Sequence, residues 1–288
     1  MMDVNLIATL ASRWPGLDAA HATLLEGGTI NRTWAVVAGE DRLVVHDRRA
    51  NMLRGEGDRL RELRLHGLAA RYGFAPEILA SFEAGAVLVT RYVAAPVWDG
   101  STMSPDVLTT LVGRLVALRR VAPPPGPAFN PAEDIRGYCE SLTELTGRNP
   151  LEEFPRLQRL AERERHAPHS VRTNCILHND LHSANVLLCD PLQLLDWEYA
   201  TVGDPLHDLA SLLAAQPSLT RHVELILATA QLDPAAGRSE LLELACLHGI
   251  LADLWFAAAA GEAGAARRLA GEKLHERLTM LASVDRQG

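Results

Sequence analysis

Residues 178–200 read HNDLHSANVLLCDPLQLLDWEYA, and this is the most informative stretch of the sequence. Two short apolar runs at 186–188 and 192–195 flank a Cys-Asp-Pro turn, and polar residues stand at both outer ends. Apolar runs bounded by turn residues predict a pair of short strands. The resulting hairpin would bring three polar side chains together at one end: Asp180, Asn185 and Asp196.

These three side chains have the chemistry of a phosphoryl-transfer site. A carboxylate and an amide oxygen are hard ligands that suit Mg²⁺. A second carboxylate nearby can accept the proton of a hydroxyl group and direct that hydroxyl at a phosphorus atom. Phosphoryl transfer needs little more from a protein than alignment and neutralisation of charge.

Two other interpretations of the same stretch stay open. Asp and Asn also occur in turns for local reasons, so the run could be a polar hairpin with ordinary turn residues. His178, Asp180 and His182 form an H-x-D-x-H pattern that would suit a zinc hydrolase, since imidazole and carboxylate both bind Zn²⁺. The sequence has 11 histidines but shows no second clear histidine cluster.

The spacing His178-x-Asp180-x4-Asn185, followed by a strand ending at Asp196, resembles a known pattern. It is similar to the catalytic and metal loops of the aminoglycoside phosphotransferase and choline kinase families. The run LLDWEYA at 194–200, with a Gly-Asp pair soon after it, is closest to the choline kinase and bacterial thiamine kinase branch. Order and spacing together make this signal stronger than any one short motif.

The resemblance implies a role for each matching residue. Asp180 would be the catalytic base, and Asn185 and Asp196 would hold Mg²⁺ on the phosphates of ATP. His178 would support the loop from within, and Asp208 would brace it from a following helix.

Patterns outside this stretch predict an α+β protein with two lobes. Runs of apolar and β-branched residues on either side of the turns at 38–41 and 83–85 predict strands at 33–37, 42–45, 77–82 and 86–92. Helical spacing of apolar residues predicts helices at 4–14, 55–72, 107–120, 151–166 and 240–260. With the resemblance, this implies a kinase-like fold with a small β-rich nucleotide-binding lobe at 1–92 and a larger helical catalytic and substrate lobe at 93–288.

A nucleotide site is implied in the N-terminal lobe. The segment GGTINRTW at 27–34 resembles the glycine-rich loop of choline-kinase-like proteins, which would place Gly28 and Asn31 at the nucleotide. The next strand carries His46 where the family has lysine or arginine. Free imidazole is mostly neutral at pH 7, unless bound phosphate or an acid such as Glu62 raises its pKa. Arg48 would lie on the same side if the strand continues that far, and could supply the missing charge.

The other contacts of a nucleotide follow from the same resemblance. Glu62 on the next helix is the expected partner of the cation, with Glu56 as the alternative. Backbone groups near Arg91 and Val93, where a strand leaves the sheet, would bind adenine. The departure at His46 also leaves open a kinase-like protein that binds a nucleotide without turnover.

The acceptor implied by the resemblance is a hydroxyl of a small, cationic metabolite such as choline, ethanolamine or thiamine. An aminoglycoside or another antibiotic is the alternative. Aromatic faces and carboxylates attract such cations, and the candidates in the C-terminal lobe are Trp197, Glu198, Asp204, Asp253 and Trp255. Both tryptophans have a structural alternative: Trp255 falls on an apolar helical stripe, where it would pack in the core, and Trp197 could simply pack the loop.

Composition narrows the partners and the setting. The net charge of -8, from 28 basic and 36 acidic residues, argues against nucleic acid and agrees with a cationic substrate. The four cysteines lack C-x-x-C spacing. The sequence has neither a secretory signal nor a run of about 18 apolar residues, so we expect a cytoplasmic protein without a membrane partner. It gives no indication of oligomeric state.

Overall fold

The computed structural model describes residues 2–25, 31–50, 55–100, 103–166, 174–259, 272–274 and 276–277. The chain divides into two compact units. The first unit comprises Met1–Ser101 and Ala184–Ala200, and the second comprises Thr102–Ser183 and Thr201–Gly288. The division into lobes at residues 92 and 93 stays a prediction.

Strands lie in both units. In chain order they are β1 (Leu17–Leu25), β2 (Arg32–Ala38), β3 (Asp41–Asp47), β4 (Ile78–Phe82), β5 (Val87–Arg91), β6 (Cys175–Leu177), β7 (Val186–Leu187), β8 (Gln193–Leu194) and β9 (Thr201–Gly203).

Helices dominate the second unit. Within the described residues of both units, the helices in chain order are α1 (Val4–Arg13), α2 (Glu56–Arg71), α3 (Pro105–Leu118), α4 (Pro131–Thr146), α5 (Pro150–Glu153), α6 (Pro155–His166), α7 (Leu206–Ala215), α8 (Val223–Thr229) and α9 (Pro234–Ala259).

An antiparallel sheet of five strands, in the order β1-β2-β3-β5-β4, forms the first unit together with α1 and α2. Alternate residues of β2 and β3, such as Trp34, Val36, Leu43 and Val45, point into its core. Their burial removes apolar surface from water and holds α1 against the sheet. β1 was not predicted, because its burial does not alternate regularly and its pairing with β2 shifts register between Asp18 and Thr23.

The β7–β8 hairpin belongs to the first unit. Val186 pairs with Leu194, and Leu187 pairs with Gln193. The backbone amide of Leu194 also donates to the carbonyl oxygen of Phe74 (2.8 Å). The hairpin is therefore attached to the segment that follows α2.

The second unit surrounds the long helix α9 with α4, α7 and α8, and it contains the antiparallel pair of β6 and β9. The expectation of one helix over 151–166 is wrong, because α5 ends at Glu153 and α6 begins at Pro155. Proline disfavours helical backbone in the residue before it, and Phe154 has φ -118° and ψ 88°.

The long helix α9 of the second unit is strongly apolar. Among the described residues, Gly237–Ala259 is long and apolar enough to cross a membrane by length and composition, with a mean hydropathy of 1.6. Its most apolar window is 61% buried inside the protein. Core helices of globular domains have the same properties.

Candidate active site

The β7–β8 hairpin brings two predicted metal ligands to one end. The amide of Leu195 donates to the backbone carbonyl of Asn185 (2.9 Å), so Asn185 lies opposite Leu195 and Asp196 is the next residue. Asn185 is buried, whereas the side chain of Asp196 is 37% exposed. Asp196 has a left-handed backbone, with φ 55°. An amide oxygen and a carboxylate at one hairpin end are suitable donors for Mg²⁺.

A buried cation lies beside this hairpin. Arg48 follows the end of β3, and its amide donates to the carbonyl of Ala86 (2.9 Å). Its guanidinium pairs with the carboxylate of Glu62 on α2, and its Nη2 lies 3.4 Å from Oδ1 of Asp196. Burial lowers the pKa of Arg48, but the carboxylates of Glu62 and Asp196 outweigh it and raise the pKa above its ordinary value. Arg48 is therefore a permanent positive charge next to Asp196.

His46 does not carry that charge. Its Nδ1 lies 3.5 Å from the hydroxyl of Thr33 and its Nε2 lies 3.5 Å from the hydroxyl of Thr90. Burial, and then the charge of Arg48, hold the pKa of His46 well below its ordinary value. The expectation that Glu62 would help to protonate His46 is wrong, because Glu62 pairs with Arg48 instead.

The glycine-rich segment is described only at its C-terminal end. Gly28 lies outside the described residues. Asn31 donates from Nδ2 to Oε2 of Glu198 (2.9 Å). The charge of Glu198 also acts on Arg48. We predicted that Glu198 binds the acceptor. In the structure it contacts Asn31 and acts on the charge of Arg48, and both of those residues were predicted to bind the nucleotide.

Two backbone groups at the end of β5 form hydrogen bonds within the first unit. The amide of Arg91 donates to the carbonyl of Glu77, and the side chain of Arg91 also pairs with Glu77 (2.9 Å each). The carbonyl of Val93 accepts from the amide of Ala95 (3.0 Å). A contact of Arg91 and Val93 with adenine stays a prediction.

The loop that carries Asp180 follows β6 in the second unit. His178 is completely buried, and Asn179 has a left-handed backbone with φ 65°. The side chain of Asp180 is 35% exposed, and its Oδ2 lies 3.6 Å from Nε2 of His182. The loop thus exposes part of its predicted catalytic carboxylate and buries the histidine predicted to support it.

Helix α7 holds this loop from behind. The carboxylate of Asp208 accepts from the backbone amides of His178 (3.2 Å) and Asn179 (2.7 Å). Burial raises the pKa of Asp208, although these amides oppose the shift. One turn later on the helix, the hydroxyl of Ser211 accepts from the amide of Leu181 (2.8 Å). Asp208 lies where the resemblance implied, whereas Ser211 was missed; its spacing of three from Asp208 was the available signal.

Comparison with known proteins decides the family. The sequence model described as the phosphotransferase enzyme family (APH) matches residues 21–244. The chain belongs to this family. The resemblance inferred from the sequence is thereby confirmed. No curated protein matches the sequence.

Solved structures of kinases have the same fold as this phosphotransferase. The choline kinase LicA from Streptococcus pneumoniae is 19% identical, with a TM-score of 0.74 over 97% of this chain and 98% of that chain. An ethanolamine kinase from Plasmodium vivax is 13% identical, with a TM-score of 0.71 over 97% of this chain and 87% of that chain. The aminoglycoside 2'-phosphotransferase-IIIa, in its GDP complex, is 15% identical, with a TM-score of 0.66 over 97% and 99%. The predicted α+β, kinase-like fold is confirmed.

Some residues that we predicted to bind the acceptor have structural roles in the phosphotransferase. Trp197 is 0% exposed, and its Nε1 donates to the carbonyl of Leu194 (2.9 Å). Its ring is inside the first unit and is not accessible to a substrate, so this prediction is corrected. Asp204 accepts from the amide of Leu206 (2.9 Å), the first residue of α7.

The candidates on α9 lie in the second unit. The ring of Trp255 packs edge-on against Phe256, with centroids 4.9 Å apart. Asp253 is buried and accepts from Nε of Arg277 (2.7 Å). Burial raises the pKa of Asp253, while the charge of Arg277 opposes the shift. Asp253 is thus neutralised by a residue of the chain itself.

The donor set fits magnesium on a nucleotide. Within the described ranges, no group of three His, Cys, Asp or Glu side chains is placed to hold a metal ion. Asn185 and Asp196 supply an amide oxygen and a carboxylate from one hairpin end. Mg²⁺ typically takes one or two carboxylates from a protein and completes its shell with phosphates and water.

Proposed function

We propose that this phosphotransferase transfers the γ-phosphoryl group of ATP to a hydroxyl of a small, amine-bearing metabolite such as choline, ethanolamine or thiamine. The observation that carries the proposal is the contact of Arg48 with Glu62 and Asp196 at the end of the β7–β8 hairpin. There a fixed positive charge stands beside hard oxygen donors. Polyphosphate recognition needs that combination.

The nucleotide would bind on the first unit. Asn185 and Asp196 would hold Mg²⁺, which when bound neutralises charge on the phosphate oxygens. Arg48 would add a second positive charge, and Glu62 would keep its guanidinium in place. A structure of the related choline kinase LicA holds AMP, which supports a nucleotide as donor.

Asp180 would handle the acceptor. The hydroxyl oxygen of the acceptor attacks the γ-phosphorus and forms a new P–O bond. The bond from that phosphorus to the β,γ-bridging oxygen breaks, and ADP leaves with its electron pair. The hydroxyl proton passes to the carboxylate of Asp180, which is partly exposed and lies on a loop held by α7.

The amine-bearing acceptor is supported by the choline and ethanolamine kinases among the similar structures and by the net charge of -8. The aminoglycoside phosphotransferase of the same fold supports an aminoglycoside as second candidate. The neutral His46 supports a third outcome, a protein that binds ATP without turnover.

An acceptor screen tests the proposal. The purified protein is given Mg-ATP with choline, ethanolamine, thiamine or kanamycin, and phosphorylated product is detected by ³¹P NMR together with ADP. We expect product with one of the first three, and a loss of about 10²- to 10⁴-fold in Asp180→Asn. The matched control Asp106→Asn changes an exposed carboxylate in the first turn of α3 and should leave turnover unchanged.

The outcomes separate the alternatives. If kanamycin is the one compound that is phosphorylated, the acceptor is an aminoglycoside and not choline, ethanolamine or thiamine. If the wild type releases no more ADP than Asp180→Asn with every acceptor, the proposed kinase activity is contradicted. A cytoplasmic setting belongs to the same proposal, and it agrees with the four cysteines being free thiols.

A further inference from the structure

The loop around Asp180 is held on both sides by one helix. On its N-terminal side, Asp208 accepts from the amide of Asn179 (2.7 Å). On its C-terminal side, the hydroxyl of Ser211 accepts from the amide of Leu181 (2.8 Å). Both flanking residues of Asp180 are therefore fixed through their backbones.

The two acceptors lie on the same face of α7. Asp208 and Ser211 are three positions apart, and side chains at that spacing are neighbours on a helix. Both are buried, and Leu181 is completely buried. A backbone amide removed from water needs an acceptor, so the hydroxyl of Ser211 has a function that no apolar side chain of the same size could perform.

The backbone of this loop needs such support. Asn179 has φ 65°, a left-handed conformation that is uncommon outside glycine, although asparagine adopts it more readily than most residues. Backbone of this kind persists where the surroundings determine it. Because Asn179 directly precedes Asp180, a relaxation of its backbone would redirect the carboxylate of Asp180.

We propose that Ser211 is a positioning residue for phosphoryl transfer. Its hydroxyl holds the backbone on the C-terminal side of Asp180, as the carboxylate of Asp208 holds the N-terminal side. The pair fixes the direction in which Asp180 presents its carboxylate to the acceptor hydroxyl. This inference rests on the proposed function, and it adds a residue that the family resemblance did not supply.

Variants of Ser211 test the catalytic part. We expect Ser211→Ala to lower kcat by about 10- to 100-fold, because small misplacements of a reacting group cost that much. The KM for ATP should stay within about twofold, because Ser211 lies outside the predicted nucleotide contacts. Ser211→Thr keeps the hydroxyl and should restore kcat. The control Ser141→Ala removes a hydroxyl that donates to the Gly137 carbonyl of α4 and should change neither constant.

Hydrogen exchange supplies a readout that does not depend on turnover. Exchange of the Leu181 amide, followed by NMR, should be at least about 10-fold faster in Ser211→Ala than in the wild type. Amides of α8 should exchange at the same rate in both proteins, and the melting temperature shows whether the variant is folded. If Ser211→Ala is too unstable to measure, the exchange of the Leu181 amide is compared between Ser211→Thr and the wild type.

Each outcome decides a different question. Wild-type kcat in Ser211→Ala, or unchanged exchange at Leu181, would overturn the role of Ser211 even in an active kinase. A fall in kcat that Ser211→Thr does not restore would also overturn it. Absence of transfer by the wild type would overturn the proposed function and the catalytic role with it, whereas the exchange rates alone would still decide whether Ser211 holds the loop.

Discussion

The guanidinium of Arg48 pairs with the carboxylate of Glu62, and only 4% and 3% of these side chains are exposed. The pair joins the end of β3 to α2. It stands two residues beyond His46, the position at which the family resemblance led us to expect the cation. In this structure Arg48, and not His46, pairs with the acid on the helix.

The first prediction concerns ATP binding. Arg48→Ala should raise the KM for ATP by about 10- to 100-fold, because a charge-assisted hydrogen bond contributes about 1.5–3 kcal/mol. The KM for the acceptor should change much less. His46→Gln should leave the KM for ATP within about twofold, because His46 is neutral and faces Thr33 and Thr90. Steady-state ADP release measures both, and equal effects of the two variants would remove Arg48 from the nucleotide site.

The second prediction concerns stability. Glu62→Gln leaves the buried Arg48 without its main counter-charge, and breaking a buried pair in this way costs about 3–5 kcal/mol. Urea unfolding should show that loss. Glu56→Gln is the matched control, since Glu56 lies exposed in the first turn of the same helix. A loss as large in Glu56→Gln would contradict the assignment of Glu62 as the partner.

The sequence predicted correctly that Asn185 and Asp196 share a hairpin end, and it predicted the position of the cation only in part. Asn185 and Asp196 share a hairpin end because two short strands and a turn set their register, and that information is local. Arg48 and Glu62 meet through the packing of α2 on the sheet, so the sequence could suggest their pairing but not the neutral state of His46. The burial of His46 sets its protonation state, and a sequence pattern does not give the distances that determine burial.

Residues with mixed character were harder to assign. Trp197 follows a predicted ligand, so the sequence allowed either contact with the acceptor or packing of the loop, and the structure buries it completely. Ser211 lies inside an apolar helix, where its signal is limited to the spacing of three from Asp208. Its partner is a backbone amide, and backbone contacts leave no trace in side-chain identity.

The third prediction concerns magnesium. Asp196→Asn should raise the Mg²⁺ concentration for half-maximal activity by at least about 10-fold, since even outer contacts of a metal site are worth about 10- to 100-fold. Asp190→Asn is the matched control, because Asp190 lies exposed in the turn of the same hairpin. Calorimetry of Mg-ATP binding gives the same comparison without turnover. Equal magnesium dependence of the two variants would exclude Asp196 as a ligand.

The fourth prediction concerns a histidine pair in the second unit. Nδ1 of His207 lies 3.1 Å from Nε2 of His248. Burial lowers the pKa of His207 to about 4, although the carboxylates of Asp204 and Glu240 oppose it. Burial, and then His207, hold the pKa of His248 well below its ordinary value. Both rings are therefore neutral in the folded protein at pH 7.

The sign of the pH dependence follows from these shifts. Both folded pKa values lie below the unfolded value of about 6.5, so the unfolded chain binds more protons between about pH 6.5 and 4. The contribution of this histidine pair to the free energy of unfolding is fully present above about pH 6.5 and is lost as the pH falls toward 4. His207 alone accounts for at most about 3 kcal/mol of that loss.

His248→Gln should reduce the difference in unfolding free energy between pH 7 and pH 5, measured in urea. His21→Gln, which changes an exposed histidine of β1, should retain the wild-type difference. The same difference in His248→Gln as in the wild type would show that this pair does not govern acid stability.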